Sequence, residues 1–303
     1  MKLSHCLPFL LALGLIASSP LLGLQTIHAQ QKGAPRALFA ADYQKKIAAV
    51  INADGSVRWS LPIRDIHDAQ PLPGGDWLLQ THFGEVRRID SAGKEKWVYT
   101  PKPESGVERV EIHAFQYLPK SKEWMIAESG NTRILLLDEN RSLKSKIPLQ
   151  VSKPDPHRDT RLVRHTPQDT FLVCHEADML IREYNRDGKI VWEYPVGKKA
   201  YSAVRLANGN TLIGTGDGHS AIEVSPSKEI VWQVGENDLP GVKLAWITMV
   251  QRLPSGNTWI VNCHAGPENP QIVEVSPDKK VVWSFLDFER FGNSLPVALP
   301  VIE

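Results

Sequence analysis

Short segments in which hydrophobic and polar residues alternate recur along the whole chain. Alternation with a period of two is typical of half-buried β-strands. Five of these segments share a turn pair, then alternating residues, then a tryptophan, at 54–59, 91–97, 187–192, 227–232 and 278–283. Such a turn pair is typical of a tight hairpin that enters a strand. No helix-period pattern of useful length occurs, so the sequence predicts an all-β fold.

Two further shared elements precede each tryptophan segment. The first is a strand–turn–strand pattern at 72–79, 118–126, 166–173, 206–213 and 253–260. The second is a strand at 85–90, 133–138, 180–185, 221–225 and 271–275. Trp97 and Trp192 lie about twice as far apart as neighbouring copies, so the copy at 112–150 lacks its tryptophan, and residues 147–149 take the place of that strand. Four short strands per repeat of roughly 40–50 residues are typical of a propeller blade.

Counting the repeats gives six blades. The first copy, 37–64, lacks its leading strand, and residues 294–301 resemble the missing element through a shared Leu-Pro pair. We therefore predict a six-bladed β-propeller of four-stranded blades, in which the C-terminal strand completes the first blade. This closure would remove exposed sheet edges, which invite aggregation. The complete copies lie near 67–102, 112–150, 159–197, 200–235 and 246–287.

The N-terminal segment, 1–29, has the pattern of a signal peptide. Lys2 supplies a positive charge, and residues 7–24 are nearly free of polar side chains. We expect cleavage after Ala29, which leaves residues 30–303 as a single propeller domain exported to the periplasm or the extracellular space. The alternative is an uncleaved N-terminal anchor. No later segment is long and apolar enough to span a bilayer, so we expect no membrane span after cleavage.

The charges of the chain nearly balance, with 35 Lys and Arg against 34 Asp and Glu, a formal net charge of +1. Nucleic-acid binders usually carry a clear basic excess, so we exclude nucleic acid as a partner. We expect a monomer. An exported protein could join Cys174 and Cys263, but the repeats place them on non-adjacent blades, and we predict two free buried thiols. The repeat tryptophans are interpreted as packing between neighbouring blades.

The tryptophan endings resemble the repeats of pyrroloquinoline-quinone-type propellers. The His-Asp-Ala…Leu-Pro-x-Gly-x-x-Leu stretch at 67–78 resembles arylsulfotransferase-like propellers, in which a histidine opens the inner strand. The resemblance covers essentially the whole chain after the signal peptide and implies a propeller fold. Two features depart from it. Quinone-dependent dehydrogenases usually have eight blades, a calcium-binding acidic site and a vicinal cysteine pair, whereas this chain has six predicted blades and no adjacent cysteines.

The innermost strands of a propeller line a central channel, and the loops at one end form a shallow bowl. Registering the leading strands on their shared leucine gives one ring of equivalent positions: His67, His113, Thr160, Tyr201, Thr248 and Ser294. Arg161 and Trp246 would extend this rim. Registering the second strands gives a second ring, Ala41, Thr81, Glu128, His175, Thr215 and Asn262. The next position holds Asp42, His82, Ser129, Glu176, Gly216 and Cys263, and His264 follows directly.

This mixture of side chains predicts a polar channel mouth with three alternative uses. His67, His113, His175 and Glu128 could bind a transition metal, because imidazole and carboxylate groups suit zinc and copper. A histidine could instead act as nucleophile or general base in group transfer. The third alternative is a hydrated channel whose polar groups only contact water. His157 is interpreted as a loop residue that carries no functional signal.

We predict an exported binding or interaction protein that recognises a small molecule, a glycan or a protein partner at the channel mouth. The alternative is an arylsulfotransferase-like enzyme, or another histidine-dependent transferase or hydrolase, centred on His67, His113 or His175. A third hypothesis is a pyrroloquinoline quinone site. No cofactor is predicted outright, and a transition metal and pyrroloquinoline quinone both stay open.

Overall fold

Six antiparallel sheets make up the computed structural model, which describes residues 30–301. The predicted signal peptide lies outside the described residues. The first strand is β1 (Gln30–Lys32). Blade 1 contains β2 (Leu38–Asp42), β3 (Ile47–Ile51) and β4 (Val57–Pro62). Blade 2 contains β5 (Ala69–Pro71), β6 (Trp77–Leu79), β7 (Val86–Ile89) and β8 (Glu95–Tyr99).

The remaining strands follow the same order. Blade 3 contains β9 (Glu111–Leu118), β10 (Glu123–Ser129), β11 (Arg133–Leu137) and β12 (Leu143–Pro148). Blade 4 contains β13 (Val163–His165), β14 (Phe171–His175), β15 (Leu180–Tyr184) and β16 (Ile190–Pro195). Blade 5 contains β17 (Ser202–Arg205), β18 (Thr211–Gly214), β19 (Ala221–Val224) and β20 (Ile230–Val234). Blade 6 contains β21 (Trp246–Arg252), β22 (Thr258–Cys263), β23 (Ile272–Val275) and β24 (Val281–Leu286), and β25 (Val297–Pro300) comes last.

The C-terminal strand closes the ring. β25 pairs antiparallel with β2, so it takes the innermost place in blade 1. Val297 and Ala298 are fully buried there, and the Trp259 indole of blade 6 donates a hydrogen bond to the Ala298 carbonyl over 2.9 Å. The prediction of a six-bladed β-propeller whose C-terminal strand completes the first blade is confirmed.

An additional strand borders the last blade. β1 pairs with β24 and makes blade 6 a five-stranded sheet. The Gln31 side chain accepts a hydrogen bond from the Trp283 indole over 3.2 Å. The sequence repeats did not predict this strand, because it has no counterpart in the other blades. Together with β25 it places both ends of the described chain at the boundary between blades 6 and 1.

An arginine covers the outer-strand tryptophan of the preceding blade at three consecutive boundaries. Between blades 4 and 5, the Arg205 guanidinium lies 4.7 Å from the centre of the Trp192 ring and pairs with Glu183. Glu183 and Trp192 are direct partners in the β15–β16 ladder, so both side chains lie on one face of the sheet. The same Glu–Trp–Arg unit recurs as Glu223, Trp232 and Arg252, and as Glu274, Trp283 and Arg36.

The boundary between blades 3 and 4 lacks the Glu–Trp–Arg unit. Ser145 occupies the position of the tryptophan. It pairs with Leu136 just before the β-bulge of the β11–β12 ladder, and Trp192 pairs with Glu183 just before the corresponding bulge of the β15–β16 ladder. Leu136 replaces the glutamate, and His165 replaces the arginine. β12 is the fourth strand of blade 3, the strand for which the sequence predicted no tryptophan. All three members of the unit are therefore lost together.

The repeat tryptophans pack between blades as predicted. Trp59 lies 6.3 Å from Trp77 of blade 2, and Trp97 lies 5.2 Å from Trp124 of blade 3, measured between ring centres. The other three repeat tryptophans contact the next blade through the Glu–Trp–Arg unit. These contacts confirm the interpretation of the repeat tryptophans as packing between blades.

The two cysteines of residues 30–301 are buried and free, on blades 4 and 6. Burial raises the pKa of both the Cys174 and the Cys263 thiols. The prediction of two free buried thiols is confirmed. Within the same residues, no helix is long and apolar enough to cross a membrane.

Candidate functional site

A cavity of about 410 Å³ opens at one mouth of the central channel. Residues at the start of the inner strands of five blades contribute to its wall: His67, Arg161, Tyr201, Thr248 and Pro296. The same end of the propeller carries the hairpins between the second and third strands and the connections between blades. The inner strands therefore hold one ring of side chains, and loops of the same face enclose it.

Two positions of this ring differ from the sequence registration. The pairing of β13 with β14 places Arg161, rather than Thr160, level with His67. The pairing of β25 with β2 places Pro296, rather than Ser294, at the same level. Blades 4 and 1 do not carry the shared leucine at the equivalent position. Aligning their inner strands on a leucine therefore assigned the wrong residue to the ring in both blades.

Loops and strand ends supply the rest of the wall. The ends of the second strands and the hairpins after them contribute Tyr43, Phe83, Glu176, Cys263 and His264. The connections between blades and the start of β21 contribute Asp65, His157, Arg158, Lys199 and Trp246. The structure thus brings together eight of the residues that the sequence predicted for the channel mouth, namely His67, Arg161, Tyr201, Thr248, Trp246, Glu176, Cys263 and His264.

Arg161 connects blade 4 to blade 2 in the cavity wall. Its Nε donates a hydrogen bond to Glu176, and its Nη1 donates one to Nε2 of His67 over 2.7 Å. An arginine offers no acceptor, so Nε2 of His67 carries the lone pair and the single ring proton lies on Nδ1. Nδ1 therefore donates to the Tyr201 hydroxyl, 3.2 Å away. The Tyr201 hydroxyl accepts in this contact and keeps its own proton for another partner.

His67 is held in its neutral form. Burial lowers the pKa of His67 well below its usual value, and the positive charge of Arg161 lowers it further. The Phe83 ring stacks on the imidazole with 4.7 Å between ring centres. Burial also raises the pKa of the Tyr201 phenol. These groups consequently present a fixed hydrogen-bonding pattern at neutral pH.

Three histidine rings meet beside the cavity. The His113 ring centre lies 4.7 Å from that of His67 and 5.3 Å from that of His157. One nitrogen of each ring lies within 4.8 Å of the others. His113 is completely buried in β9, whereas His157 comes from the connection between blades 3 and 4 and is partly exposed. The cluster therefore reaches from the interior to the cavity.

A single carboxylate oxygen lies against two of these rings. Oε2 of Glu111 is 3.0 Å from Nε2 of His113 and 2.7 Å from Nδ1 of His157, and Arg109 holds the other oxygen at 2.9 Å. Burial opposes the charged carboxylate, but the contacts with His113 and His157 hold the pKa of Glu111 well below its usual range. Nδ1 of His113 donates to the Thr160 carbonyl over 2.9 Å, and burial lowers the pKa of His113 to about 4.

Another part of the wall is aromatic. The Tyr43 hydroxyl lies 3.0 Å from Nε2 of His264, and burial lowers the pKa of His264. The Trp246 ring packs edge-on against both Tyr201 and His264. The Lys199 ammonium lies 4.4 Å from the centre of the Trp246 ring. This part of the wall offers both flat apolar surface and a positive charge.

The structure places His175 and Glu128 inside contacts between loops, away from the cavity. Nδ1 of His175 donates to the Asp159 carbonyl over 2.7 Å, its Nε2 lies 3.0 Å from the Tyr184 hydroxyl, and burial lowers its pKa to about 4. Glu128 accepts hydrogen bonds from Tyr99, Asn131 and Arg133. The metal-ligand set of His67, His113, His175 and Glu128 is therefore not brought together.

His82 and Asn262 also lie outside the cavity wall. His82 accepts a hydrogen bond from the Gly84 amide over 3.1 Å and lies 3.2 Å from the Glu85 carboxylate. Asn262 is buried and accepts a hydrogen bond from the Ala245 amide over 2.7 Å. Its amide group donates to the carbonyls of Lys243 and Pro270. The hydrogen bonds of His82 and Asn262 therefore hold the loops around the cavity in place.

Sequence reasoning missed His157 and Glu111, which complete the histidine cluster. His157 belongs to a long connection between blades, 152–159, and long connections often carry function, so the loop length was the available signal. Glu111 lies two residues before His113 in β9, and alternate residues of a strand tend to share a face. The alternation of side chains along this strand was therefore the available signal that Glu111 lies near His113.

A larger cavity, of about 620 Å³, opens elsewhere along the channel, at the ends of inner strands and their turns. Arg164 lines it, but Asp68 neutralises this arginine through hydrogen bonds of 2.7 and 2.8 Å. Within residues 30–301, the three-histidine cluster lies at the smaller cavity. The smaller cavity is therefore the candidate functional site.

The candidate site does not fit the calcium ion that the resemblance to quinone-dependent dehydrogenases implies. Two carboxylates line the cavity, Asp65 and Glu176, and each already pairs with an arginine. Calcium takes about six to eight oxygen ligands, so two engaged carboxylates are too few.

Comparisons with known proteins place the chain in the class of β-propellers. No protein-family model and no curated protein sequence matches it. Among solved structures, a protein of unknown function from Bacteroides caccae matches with a TM-score of 0.78 and 24% sequence identity, over 89% of this chain and 100% of that one.

Two lyases share the fold at lower TM-scores. A catalytically inactive virginiamycin B lyase from Staphylococcus aureus with quinupristin matches with a TM-score of 0.59 and 11% identity, over 86% of this chain and 89% of that one. A streptogramin B lyase matches with a TM-score of 0.59 and 10% identity, over 90% and 98%. At these identities the likeness shows the propeller fold alone.

Proposed function

We propose that the protein binds a small anionic organic molecule in the channel-mouth cavity. One observation carries this proposal. Two cations of the cavity wall, Arg161 and Lys199, share a single carboxylate, because Glu176 pairs with Arg161 and lies 3.6 Å from the Lys199 ammonium. One positive charge in this cluster is therefore left without a matching negative charge.

The shape and chemistry of the wall support an organic rather than an inorganic anion. Tyr43, Phe83, Tyr201 and Trp246 offer flat apolar surface, which favours a planar or ring-containing ligand. The Tyr201 hydroxyl keeps a proton for an acceptor on that ligand. A volume of about 410 Å³ lies within the usual range for small-molecule sites.

The test compares aromatic anions with an uncharged aromatic amide of similar size. We expect benzoate and phenyl phosphate to bind saturably by isothermal titration calorimetry, and the uncharged benzamide to bind much more weakly. Lys199→Met should weaken binding of the anions about tenfold or more, whereas Lys198→Met, which changes an exposed neighbouring lysine, should not. Equal binding of benzoate and benzamide, or no saturable binding of any probe, would contradict the proposal.

A second candidate function is histidine-dependent transfer or hydrolysis. It is favoured by the convergence of His67, His113 and His157, whose ring centres lie 4.7 to 5.8 Å apart beside the cavity. Clustered titratable groups in a cleft are a common feature of catalytic sites. The match to a lyase whose inactive form was crystallised with quinupristin adds an example of a propeller that acts on a small molecule.

Turnover of chromogenic esters tests this second candidate. We expect the wild type to hydrolyse or transfer from 4-nitrophenyl sulfate or 4-nitrophenyl phosphate, and His157→Ala to lose the activity. His165→Ala, which changes a histidine on an inner strand outside the cavity wall, serves as the matched control. Wild-type rates equal to those of His157→Ala would remove the candidate.

We also propose that the protein is exported and that cleavage follows Ala29. The apolar segment 7–24 supports a signal peptide. β1 begins at the exposed Gln30, so cleavage there would leave the propeller whole. The intact mass of protein recovered from the periplasm or medium should correspond to a chain that begins at Gln30. A mass that retains residues 1–29 would contradict export by this route.

A further inference from the structure

Three donor atoms converge within a small volume at the inner end of the histidine cluster. Oε2 of Glu111 lies 3.0 Å from Nε2 of His113 and 2.7 Å from Nδ1 of His157. Two of these residues come from β9, and the third comes from the connection that leads into blade 4. Residues distant in the sequence therefore direct two imidazoles and a carboxylate at the same point.

The hydrogen bonds of His113 decide which of its nitrogens could bind a metal. The Thr160 carbonyl can only accept a hydrogen bond, so Nδ1 of His113 carries a proton and donates it there over 2.9 Å. Nε2 is therefore the nitrogen that faces the Glu111 carboxylate, at 3.0 Å. A metal ion at this point would take Nε2 of His113 and Oε2 of Glu111 as ligands.

His67 is excluded as a ligand even though its ring is adjacent. Its Nε2 lone pair accepts from Arg161 at 2.7 Å, and its Nδ1 proton donates to Tyr201. Neither nitrogen has a free lone pair, so binding a metal would break a buried hydrogen bond with Arg161. The cluster thus divides into one histidine that belongs to the anion site and two that are free to bind a metal.

Neighbouring groups orient the three remaining ligands. Arg109 holds Oε1 of Glu111 at 2.9 Å, which leaves Oε2 directed at the imidazoles. The Thr160 carbonyl fixes the tautomer and the ring plane of His113. The His157 backbone amide donates to Asp155 over 2.9 Å and anchors the loop that carries the third ligand. Supporting contacts of this kind are typical of metal-ligating residues.

We propose that Glu111, His113 and His157 bind a divalent transition metal ion, with zinc as the best fit to this donor set. Two imidazoles and one carboxylate form a known zinc ligand set that leaves a fourth position open. Ligands about 2.0–2.1 Å from zinc at tetrahedral angles lie about 3.3 Å apart, so the observed separations need only a small expansion. The open position would face the cavity that His157 lines.

The inference goes beyond the binding of an organic anion and does not depend on it. A metal at this point would lie next to the cavity wall that holds Arg161 and Lys199. It would add a positive charge there and offer a coordination site to water or to an anionic group of a ligand. Metal content can be measured without any organic ligand. A negative result for metal binding therefore leaves the proposal of anion binding standing, and the reverse also holds.

Metal binding to the untagged protein tests the inference directly. After dialysis against a chelator, the wild type should bind one equivalent of Zn²⁺ by calorimetry and elemental analysis. It should also show visible d–d absorption when loaded with Co²⁺. His157→Ala, at a partly exposed loop position, should weaken Zn²⁺ binding at least about tenfold and abolish the Co²⁺ spectrum. Glu111→Gln should do the same.

Two further variants act as controls. His67→Gln and His165→Ala should each keep one equivalent of Zn²⁺ and the Co²⁺ spectrum. Circular dichroism melting of every variant, measured without metal, separates loss of a ligand from loss of the fold. A wild type that binds no Zn²⁺, or a folded His157→Ala protein that binds it as tightly as the wild type, would overturn the inference. Loss of binding in a folded His67→Gln protein would overturn the proposed ligand set.

Discussion

The Arg161 guanidinium donates a hydrogen bond to Nε2 of His67 over 2.7 Å, and this contact joins blade 4 to blade 2 at the mouth of the channel. Because the donor is permanently charged, it decides which nitrogen of His67 carries the ring proton. It also leaves the Tyr201 hydroxyl free to donate to a ligand. The position of Arg161 therefore controls both the packing of the mouth and its hydrogen-bonding pattern.

Arg161→Met should destabilise the protein by about 3–5 kcal/mol, because it leaves the buried Glu176 carboxylate without its main partner. The free energy of unfolding from urea titrations measures this. Arg158→Met is the matched control, since solvent screens the exposed Arg158–Asp155 pair and its loss should leave the free energy of unfolding nearly unchanged. Similar losses in the two variants would contradict the role assigned to Arg161.

Removal of the C-terminal strand should open the ring. A chain that lacks residues 297–301 loses the buried side chains of Val297 and Leu299 and exposes an edge of β2, at a cost of at least about 4 kcal/mol. We expect size-exclusion chromatography to show aggregates and thermal melting to lose its cooperativity. Deleting the half-exposed outer strand β1 instead should leave a folded monomer. A soluble, cooperative chain without residues 297–301 would show that closure matters little.

Arg205→Met should destabilise the boundary between blades 4 and 5 by about 3 kcal/mol, because the largely buried Glu183 loses its charge partner. Adding Glu183→Leu should recover much of that loss, since the unpaired buried charge is then removed. Urea unfolding of the two single variants and the double variant measures the coupling. Lys280→Met, in an exposed pair with Asp278, should leave the free energy of unfolding nearly unchanged, because solvent screens this pair. If the loss of stability in the double variant equals the sum of the losses in Arg205→Met and Glu183→Leu, the two residues do not form a coupled buried pair.

Glu123 should make stability depend on pH in the acid range. Burial opposes its charged form, but Lys144 at 2.7 Å and Arg186 at 3.0 Å lower its pKa to about 2. A carboxylate with a lowered pKa contributes stability that is complete above its unfolded pKa of about 4.3 and is lost as the pH falls towards 2. Asp169, which shares Arg186 and also has a pKa lowered to about 2, titrates in the same window.

Glu123→Gln should therefore lower the free energy of unfolding at neutral pH and flatten its decrease between about pH 4.3 and pH 2. Urea titrations across this range measure both effects. Glu139→Gln, at an exposed glutamate of the same blade, is the matched control. Parallel profiles for the wild type and Glu123→Gln would contradict this assignment.

The periodicity of the repeats was sufficient to predict the fold. Four strands per copy, the tryptophan endings and the Leu-Pro pair of the tail together predicted six blades and the closure through β25. These signals are local and repeat along the chain, so each copy supports the others. β1 escaped prediction because a strand present in one blade alone has no repeat to reveal it.

The site was harder to predict because it depends on register and on loops. A shift of one residue moved the inward position of blade 4 from Thr160 to Arg161, which is a change from a hydroxyl to a permanent charge. His157 lies on a connection that belongs to no repeat, so periodicity gave no information about its position. Glu128 and His175 share the polarity of the site residues, but their hydrogen bonds hold loops rather than face the cavity.

The composite first blade affects how the molecule is made. A ribosome adds β2, β3 and β4 well before β25, their innermost neighbour. A nascent chain must therefore carry an incomplete first blade until β25 has emerged, and the ring cannot close before that point. Closure joins two segments of the chain that are synthesised far apart in time.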